Sequence, residues 1–320
     1  MEIASPPWNK YKFMPDRALT PATMSYDYEF SLRIGAARPV VFEKLLRIEH
    51  LARWFCGWSR IEPKVGGRFQ FGGETCILLP EGRGWETTID EGEALRRFAF
   101  TWPIHGTPSR VSYELQDAGE GATHLVARHR GAPMKKTTCG TIQDAWHMCL
   151  GNLKSISEGR SDSVRPDHAP VTSRELRLSN LIEATPERVF AALTEPAQVD
   201  HWSTGGVPRG RARVDPRAGG AFAMGWGDVG PDRILAIDPG RRLVLRWPRD
   251  QGDLTIELNL EPKASGTAIY LVAAGYRDGE EARILSDRGG WGDLCVCLKN
   301  FIEGGDAGFA NAFDAQVQES

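Results

Sequence analysis

The spacing of apolar positions changes several times along the chain, and each change marks an element. Between Tyr28 and Ile34 apolar and polar residues alternate, which predicts a strand with one buried face. Val41, Phe42, Leu45 and Leu46 then fall at helical spacing, with Pro39 in the first turn, where its missing N–H is not needed. A short second helix ends at Trp54. Stretches near 84–90, 97–102, 109–115 and 123–130 read as antiparallel strands. Trp146, Cys149, Leu150, Leu153 and Ile156 mark one long closing helix, stopped by Gly159.

The same series then returns. Residues 176–183 predict a strand. Thr185 is the N-cap, Pro186 the first helical residue, and Val189, Phe190 and Leu193 the buried stripe. A second short helix ends at Trp202, strands follow near 233–238, 242–247, 254–260 and 267–274, and Trp291, Leu294, Cys295, Leu298, Phe301 and Ile302 mark a final helix stopped by Gly304. Pro63-Lys64-Val65-Gly66-Gly67-Arg68-Phe69 matches Pro216-Arg217-Ala218-Gly219-Gly220-Ala221-Phe222, and the glycine pair in each marks a tight turn between strands. Arg96 and Arg241 open matching strands, and Trp146 and Trp291 matching helices, both pairs 145 residues apart. Solenoid repeats are roughly 20–50 residues long, so this period is a duplicated domain. The expected organisation is an irregular arm at 1–24, a first domain at 25–160, a polar, proline-containing linker at 161–172, a second domain at 173–305 and a flexible tail at 306–320.

The order of elements makes each copy α+β: two short helices follow the first strand, and a curved antiparallel sheet wraps around the long C-terminal helix. Such an arrangement leaves a space between helix and sheet that can hold a ligand. It resembles the helix-grip fold of the START and birch-pollen-allergen (SRPBCC) superfamily. Within it, both copies resemble the group of heat-shock-protein-90 ATPase activator homologues. The second copy carries the resemblance in Ala184-Thr185-Pro186-Glu187-Arg188-Val189-Phe190, Gly219 to Phe222, Arg242 to Trp247, Gly266-Thr267, Gly275-Tyr276 and Gly290 to Lys299. The first carries it in Val65 to Phe69, Phe98 to Trp102, Ala122 to His129 and Trp146 to Lys154. The resemblance implies carriage of hydrophobic ligands, cyclase-type chemistry or co-chaperone activity. Members named for chaperone activation bind through an additional N-terminal domain with a tryptophan-rich asparagine motif; Trp8-Asn9-Lys10 does not make that motif.

Composition narrows these readings. A chain of 320 residues suits two domains of roughly 150 each. The net charge of −3 gives no basic field for nucleic acid. No run approaches the roughly 20 apolar residues of a membrane span, and the first residues show no signal-peptide pattern, so the expected location is the cytoplasm. The six cysteines form no CxxC pair and match no zinc spacing, so they read as reduced thiols with no metal. No glycine-rich phosphate loop, GxSxG elbow, HExxH or dinucleotide fingerprint is present, and no cofactor is expected.

Strand alternation selects the candidate site. Phe98, Phe100 and Trp102 share a face, which with Trp54, Phe69 and Trp146 forms the wall of a first-domain cavity. Trp202, Trp247 and Trp291 are their counterparts in the second copy. His129 shares an inward face with Leu125 and Ala127, where the resembled family commonly has a histidine; the second copy has Ala273. As the inner polar group, His129 is the candidate ligand anchor or general acid–base. Lesser candidates are Glu86 or Thr88, whose register is open, the pair Asp144 and His147, and Trp226, Asp228 and Arg233 around a glycine-rich turn. The leading expectation is a hydrophobic or aromatic small molecule bound in the first domain. The alternatives are a cyclase, dehydratase or hydrolase using His129, and a protein-interaction module of the co-chaperone kind.

Overall fold

The expected first strand is realised as β1 (Met24–Ile34), with Tyr28, Phe30, Leu32 and Ile34 buried and Glu29 and Arg33 exposed. The computed structural model describes residues 24–133, 139–226, 230–306 and 316–319. The chain divides between Ala169 and Pro170 into two compact units.

In the first unit, α1 (Arg38–Leu46) and α2 (Ile48–Trp54) follow β1. Next come β2 (Trp58–Ile61), β3 (Arg68–Gly72), β4 (Trp85–Glu93), β5 (Arg97–Ile104), β6 (Thr107–Asp117) and β7 (Thr123–Ala132), and the unit closes with α3 (Ile142–Ser157). The strands run antiparallel in the order β1-β7-β6-β5-β4-β3-β2. Thr141 caps α3 in a capping box. Its hydroxyl accepts from Asp144 N at 3.0 Å, and Asp144 Oδ2 accepts from Thr141 N at 2.7 Å.

The second unit repeats the plan with β8 (Glu175–Ile182), α4 (Pro186–Thr194), α5 (Pro196–Ser203), β9 (Arg213–Val214), β10 (Phe222–Ala223), β11 (Arg233–Asp238), β12 (Arg242–Trp247), β13 (Leu254–Lys263), β14 (Gly266–Ala274) and α6 (Glu281–Gly304). Its main sheet runs β11-β12-β13-β14-β8. Thr185 caps α4 as expected, its side chain accepting from Arg188 N. The stop of α6 lies one residue later than expected: Gly304 is still helical, and Gly305 takes the left-handed conformation with φ 75°.

Two devices recur in both units. The first is the double-glycine turn. Gly66 and Gly219 have φ of 75° and 80°. A Cβ on Gly67 would stand 2.2 Å from the Glu62 carbonyl oxygen, and one on Gly220 would stand 2.1 Å from that of Asp215. One glycine is needed for its dihedral angle, the next for close approach. The second is a clamp between the closing helix and the first strand. Lys154 Nζ donates to Arg33 O at 2.6 Å and to Glu158 Oε1 at 2.7 Å, and that oxygen accepts from Gly35 N at 2.6 Å. In the second unit Lys299 Nζ donates to Leu181 O at 2.7 Å and to Glu303 Oε1 at 2.6 Å, and Glu303 accepts from Glu183 N at 2.7 Å.

The segment after Gly159 is bound to the first unit as well as joining the copies. Asn152 of α3 donates to Val164 O at 2.9 Å and accepts from Ser163 N at 2.5 Å. Arg165 donates to Ala52 O and Thr75 Oγ1, both at 2.5 Å, and also to Cys56 O. His168 Nε2 lies 2.8 Å from Cys76 O. Within the expected tail, Gln316–Glu319 forms β15, which pairs antiparallel with β1. Trp8-Asn9-Lys10, most of the expected arm, and Asp228 lie outside the described residues.

Candidate functional site

In the first unit the concave side of the sheet is filled by rings. Phe55, Phe69, Phe71, Phe100, Trp54, Trp102 and Trp146 are among the largest fully buried side chains, and Phe98 and Tyr113 are 3% and 2% exposed. Phe69 meets Phe71 at 4.7 Å and Phe100 edge-on at 5.2 Å; Phe98 stacks on Tyr113 at 6.0 Å with the planes 7° apart. The expected wall residues Trp54, Phe69, Phe98, Phe100, Trp102 and Trp146 are therefore brought together, packed against one another.

His129 is fully buried at the centre of this packing. Trp146 Nε1 donates to its Nδ1 at 3.1 Å, so that nitrogen carries no proton. Nε2 is 2.9 Å from Ser109 Oγ, and that hydroxyl donates to Trp102 O at 2.9 Å. The chain of donors is complete only when His129 Nε2–H donates to Ser109. Trp102 lies parallel to the imidazole, 5.4 Å away and tilted by 6°. Burial pushes the histidine down to about 3, because the apolar interior disfavours a charged ring. The ring is neutral near pH 7, and both its nitrogens are occupied by the protein.

The lesser candidates resolve locally. In β4 the buried face carries Trp85 and Ile89, so Glu86 and Thr88 point outward; Glu86 accepts from Arg68 and Gln70, both at 2.8 Å. Asp144 belongs to the helix cap, and His147 packs edge-on against Phe30 at 5.4 Å. Trp226 is buried while Arg233 is exposed.

Among the described residues an apolar cavity between sheet and closing helix lies in the second unit, whereas the sequence pattern favoured the first. It is lined by Asn180, Leu193, Trp202, Phe222, Met224, Leu243, Leu245, Leu258, Ile269, Leu271, Trp291, Leu294, Cys295 and Leu298. The cavity has a volume of about 20 Å³, a little more than the roughly 10–15 Å³ that one water needs, so it is a narrow slot.

Strand register explains the difference. In the first unit Phe98 faces Tyr113 across β5 and β6; in the second Leu243 faces Leu258 across β12 and β13. Phe100 is replaced by Leu245, Phe71 by Met224, and His129 by Ala273. Each exchange removes ring atoms from the same concave surface. Trp202, Trp247 and Trp291 remain, with Trp291 edge-on to Trp247 at 5.9 Å.

The tryptophans are not equivalent. Trp54 Nε1 donates to Lys44 O at 2.9 Å, and Trp202 Nε1 to Ala192 O at 2.8 Å, so both tie the second short helix to a carbonyl near the end of the first. Trp291 is 2% exposed, and its Nε1 has no acceptor among the described residues. Around it α6 carries Gly289, Gly290 and Gly292, each roughly 1 kcal/mol less favourable than alanine inside a helix. Asn180 Nδ2 reaches across to Cys295 O at 3.0 Å. Burial pushes the Cys295 thiol up to about 12, so it is protonated and no nucleophile at neutral pH. Among the described residues no cluster of histidine, cysteine or carboxylate side chains could hold a metal, and no helix is long and apolar enough to cross a membrane.

Asn180, Met224, Leu258 and Cys295 line the cavity without being candidates in the sequence, where Cys295 counts only as part of the helix stripe. A position-by-position comparison of the copies would have found them, since each stands opposite a residue of different size or polarity.

A family model described as Activator of Hsp90 ATPase homolog 1-like protein matches residues 36–158 and 183–303. No curated protein matches the chain. Among solved structures, a protein of Mesorhizobium loti is 22% identical, covering 42% of this chain and 99% of its own, with a TM-score of 0.36. A protein of the dynemicin biosynthetic locus is 15% identical, covering 86% of this chain and 98% of its own, with a TM-score of 0.33. An HSP90 activator from Plasmodium falciparum is 17% identical, covering 35% of this chain and 76% of its own, with a TM-score of 0.29.

Proposed function

The chain belongs to the family of Activator of Hsp90 ATPase homolog 1-like proteins, and on that premise we propose that its second copy binds a small hydrophobic molecule between the sheet and α6. The observation that carries this reading is the replacement of rings by aliphatic side chains at matched positions, which leaves an apolar cavity where the first copy is filled. Apolar lining with very few polar groups is the usual make-up of a small-molecule site.

Acid–base catalysis by His129 has no comparable support. A substrate could reach either nitrogen only by breaking a bond to Trp146 or Ser109. The expected test is calorimetric titration of the full chain with indane, a compact hydrocarbon. Wild type binds, and Leu245→Phe, which restores the ring present at Phe100, weakens binding at least about tenfold by filling the slot. Equal binding by Leu245→Phe, or no binding by wild type, sinks the reading.

A further inference from the structure

The two closing helices present a tryptophan at the same place, and the two indoles end differently. Trp146 gives its N–H to His129. At the matching place on β14 stands Ala273, fully buried, on the same face as Ile269 and Leu271 of the cavity lining. Alanine has nothing to accept with. Trp291 thus lines the cavity, and its buried Nε1 finds no acceptor among the described residues. Trp102 Nε1 also lacks a partner, but that ring is enclosed by Phe71 and Trp85 in edge-on contact, at 5.2 and 5.6 Å. Trp291, unlike Trp102, borders a cavity that a molecule bearing an acceptor could enter, and a buried N–H is costly until something accepts from it.

We propose that the ligand of the second copy is a hydrophobic molecule carrying one neutral oxygen acceptor, a ketone, aldehyde or ester carbonyl, and that Trp291 Nε1–H donates to that oxygen. The inference rests on the cavity being a ligand site. Neutrality follows from the lining, which among the described residues holds no charged side chain. A carboxylate entering it would lose its hydration and find no cation, a loss that a single neutral donor does not offset. One oxygen is matched to one free donor; a polyol would bring hydroxyls that the aliphatic wall leaves unpaired. The glycines on either side of Trp291 let α6 yield as the slot widens around a ring compound.

The test compares indane with 1-indanone, the same skeleton bearing one carbonyl, against the full chain and its Trp291→Phe variant. Removing the N–H while keeping a ring is expected to weaken 1-indanone about tenfold, the factor typical of one buried neutral hydrogen bond, and to change indane by no more than about twofold. In the wild type, one indole N–H proton resonance moves downfield with 1-indanone and not with indane. It is assigned from the Trp291→Phe spectrum or, should that variant not fold, through the backbone amide of Trp291. If indane binds but the two ligands weaken equally, or neither changes, or the Trp291 resonance ignores the carbonyl, the donor role is wrong and the cavity reading stands. If the wild type does not bind indane, the cavity reading and the donor role fall together.

Discussion

Phe98 and Tyr113 stack across β5 and β6, while Leu243 and Leu258 meet at the same crossing of β12 and β13. The frames around these pairs are alike: the double-glycine turn, the lysine–glutamate clamp and the tryptophan tied to a helix carbonyl occur in both. What differs is the volume of a few inward side chains. A helix-grip frame is therefore indifferent to whether its interior is a packed core or a slot, and that choice is made by ring-for-aliphatic exchange on the concave face. The polar groups follow suit. Where rings fill the space, the Trp146 indole gives its N–H to the histidine; in the second unit the matching indole of Trp291 has no acceptor among the described residues.

The largest expected effect tests the shared frame. Lys299→Met breaks an ion pair whose side chains are 0% and 2% exposed and should cost about 3–5 kcal/mol in chemical denaturation of the second unit. Lys154→Met should cost less, because its pair with Glu158 is less buried, at 5% and 13% exposed. Equal losses would mean that burial does not set the strength of the clamp. Next, the double variant Phe98→Leu/Phe100→Leu gives the first unit the second unit's residues. We expect a loss of roughly 2–4 kcal/mol, with indane binding gained where there was none. A loss of stability with no gain of binding would separate cavity formation from ligand capture.

A third prediction uses pH. Unfolded, His129 titrates near its ordinary 6.5, whereas in the fold it is held to about 3. Between those values the unfolded chain binds a proton that the folded first unit excludes. Stability therefore falls as pH drops from 6.5 toward 3, by up to about 1.4 kcal/mol per pH unit from this group. His129→Asn should flatten that limb, and Ala273 gives the second unit no such limb. Parallel denaturation series at pH 7, 6, 5 and 4 would show it; an unchanged slope in the variant would place the acid sensitivity elsewhere. The smallest effect is expected for Leu245→Phe, within about 1.5 kcal/mol of wild type in stability while binding is lost.

Much of the frame was legible because it is local. Pro186 beside Thr185, the glycine pairs and the spacing of Trp291, Leu294 and Leu298 each fix an element within a few residues. The interior was not, because periodicity treats Phe100 and Leu245 alike: both are apolar at an inward position, and cavity volume is a sum over β-strands that pattern does not supply. His129 shows the same limit. Its inward face could be read from Leu125 and Ala127, but its partners Ser109 and Trp146 lie 20 and 17 residues away and meet it only in the fold. Glu86 was open because Trp85 and Thr87 alternate with it, and only pairing with β3 and β5 decides the face.

The strap from 160 to 168 bears on where such a protein may be divided. The repeated motif of the first copy ends at Gly159, as that of the second ends at Gly304. Its folded body runs further, since Arg165 bonds the backbone behind α2 and His168 sits against Cys76. A gene cut at the edge of the repeat would keep every signature of the family and discard the bonds that cover Cys56 and Cys76. The unit of duplication and the unit of folding are thus of unequal length, and a half-protein made for expression should begin or end beyond residue 168.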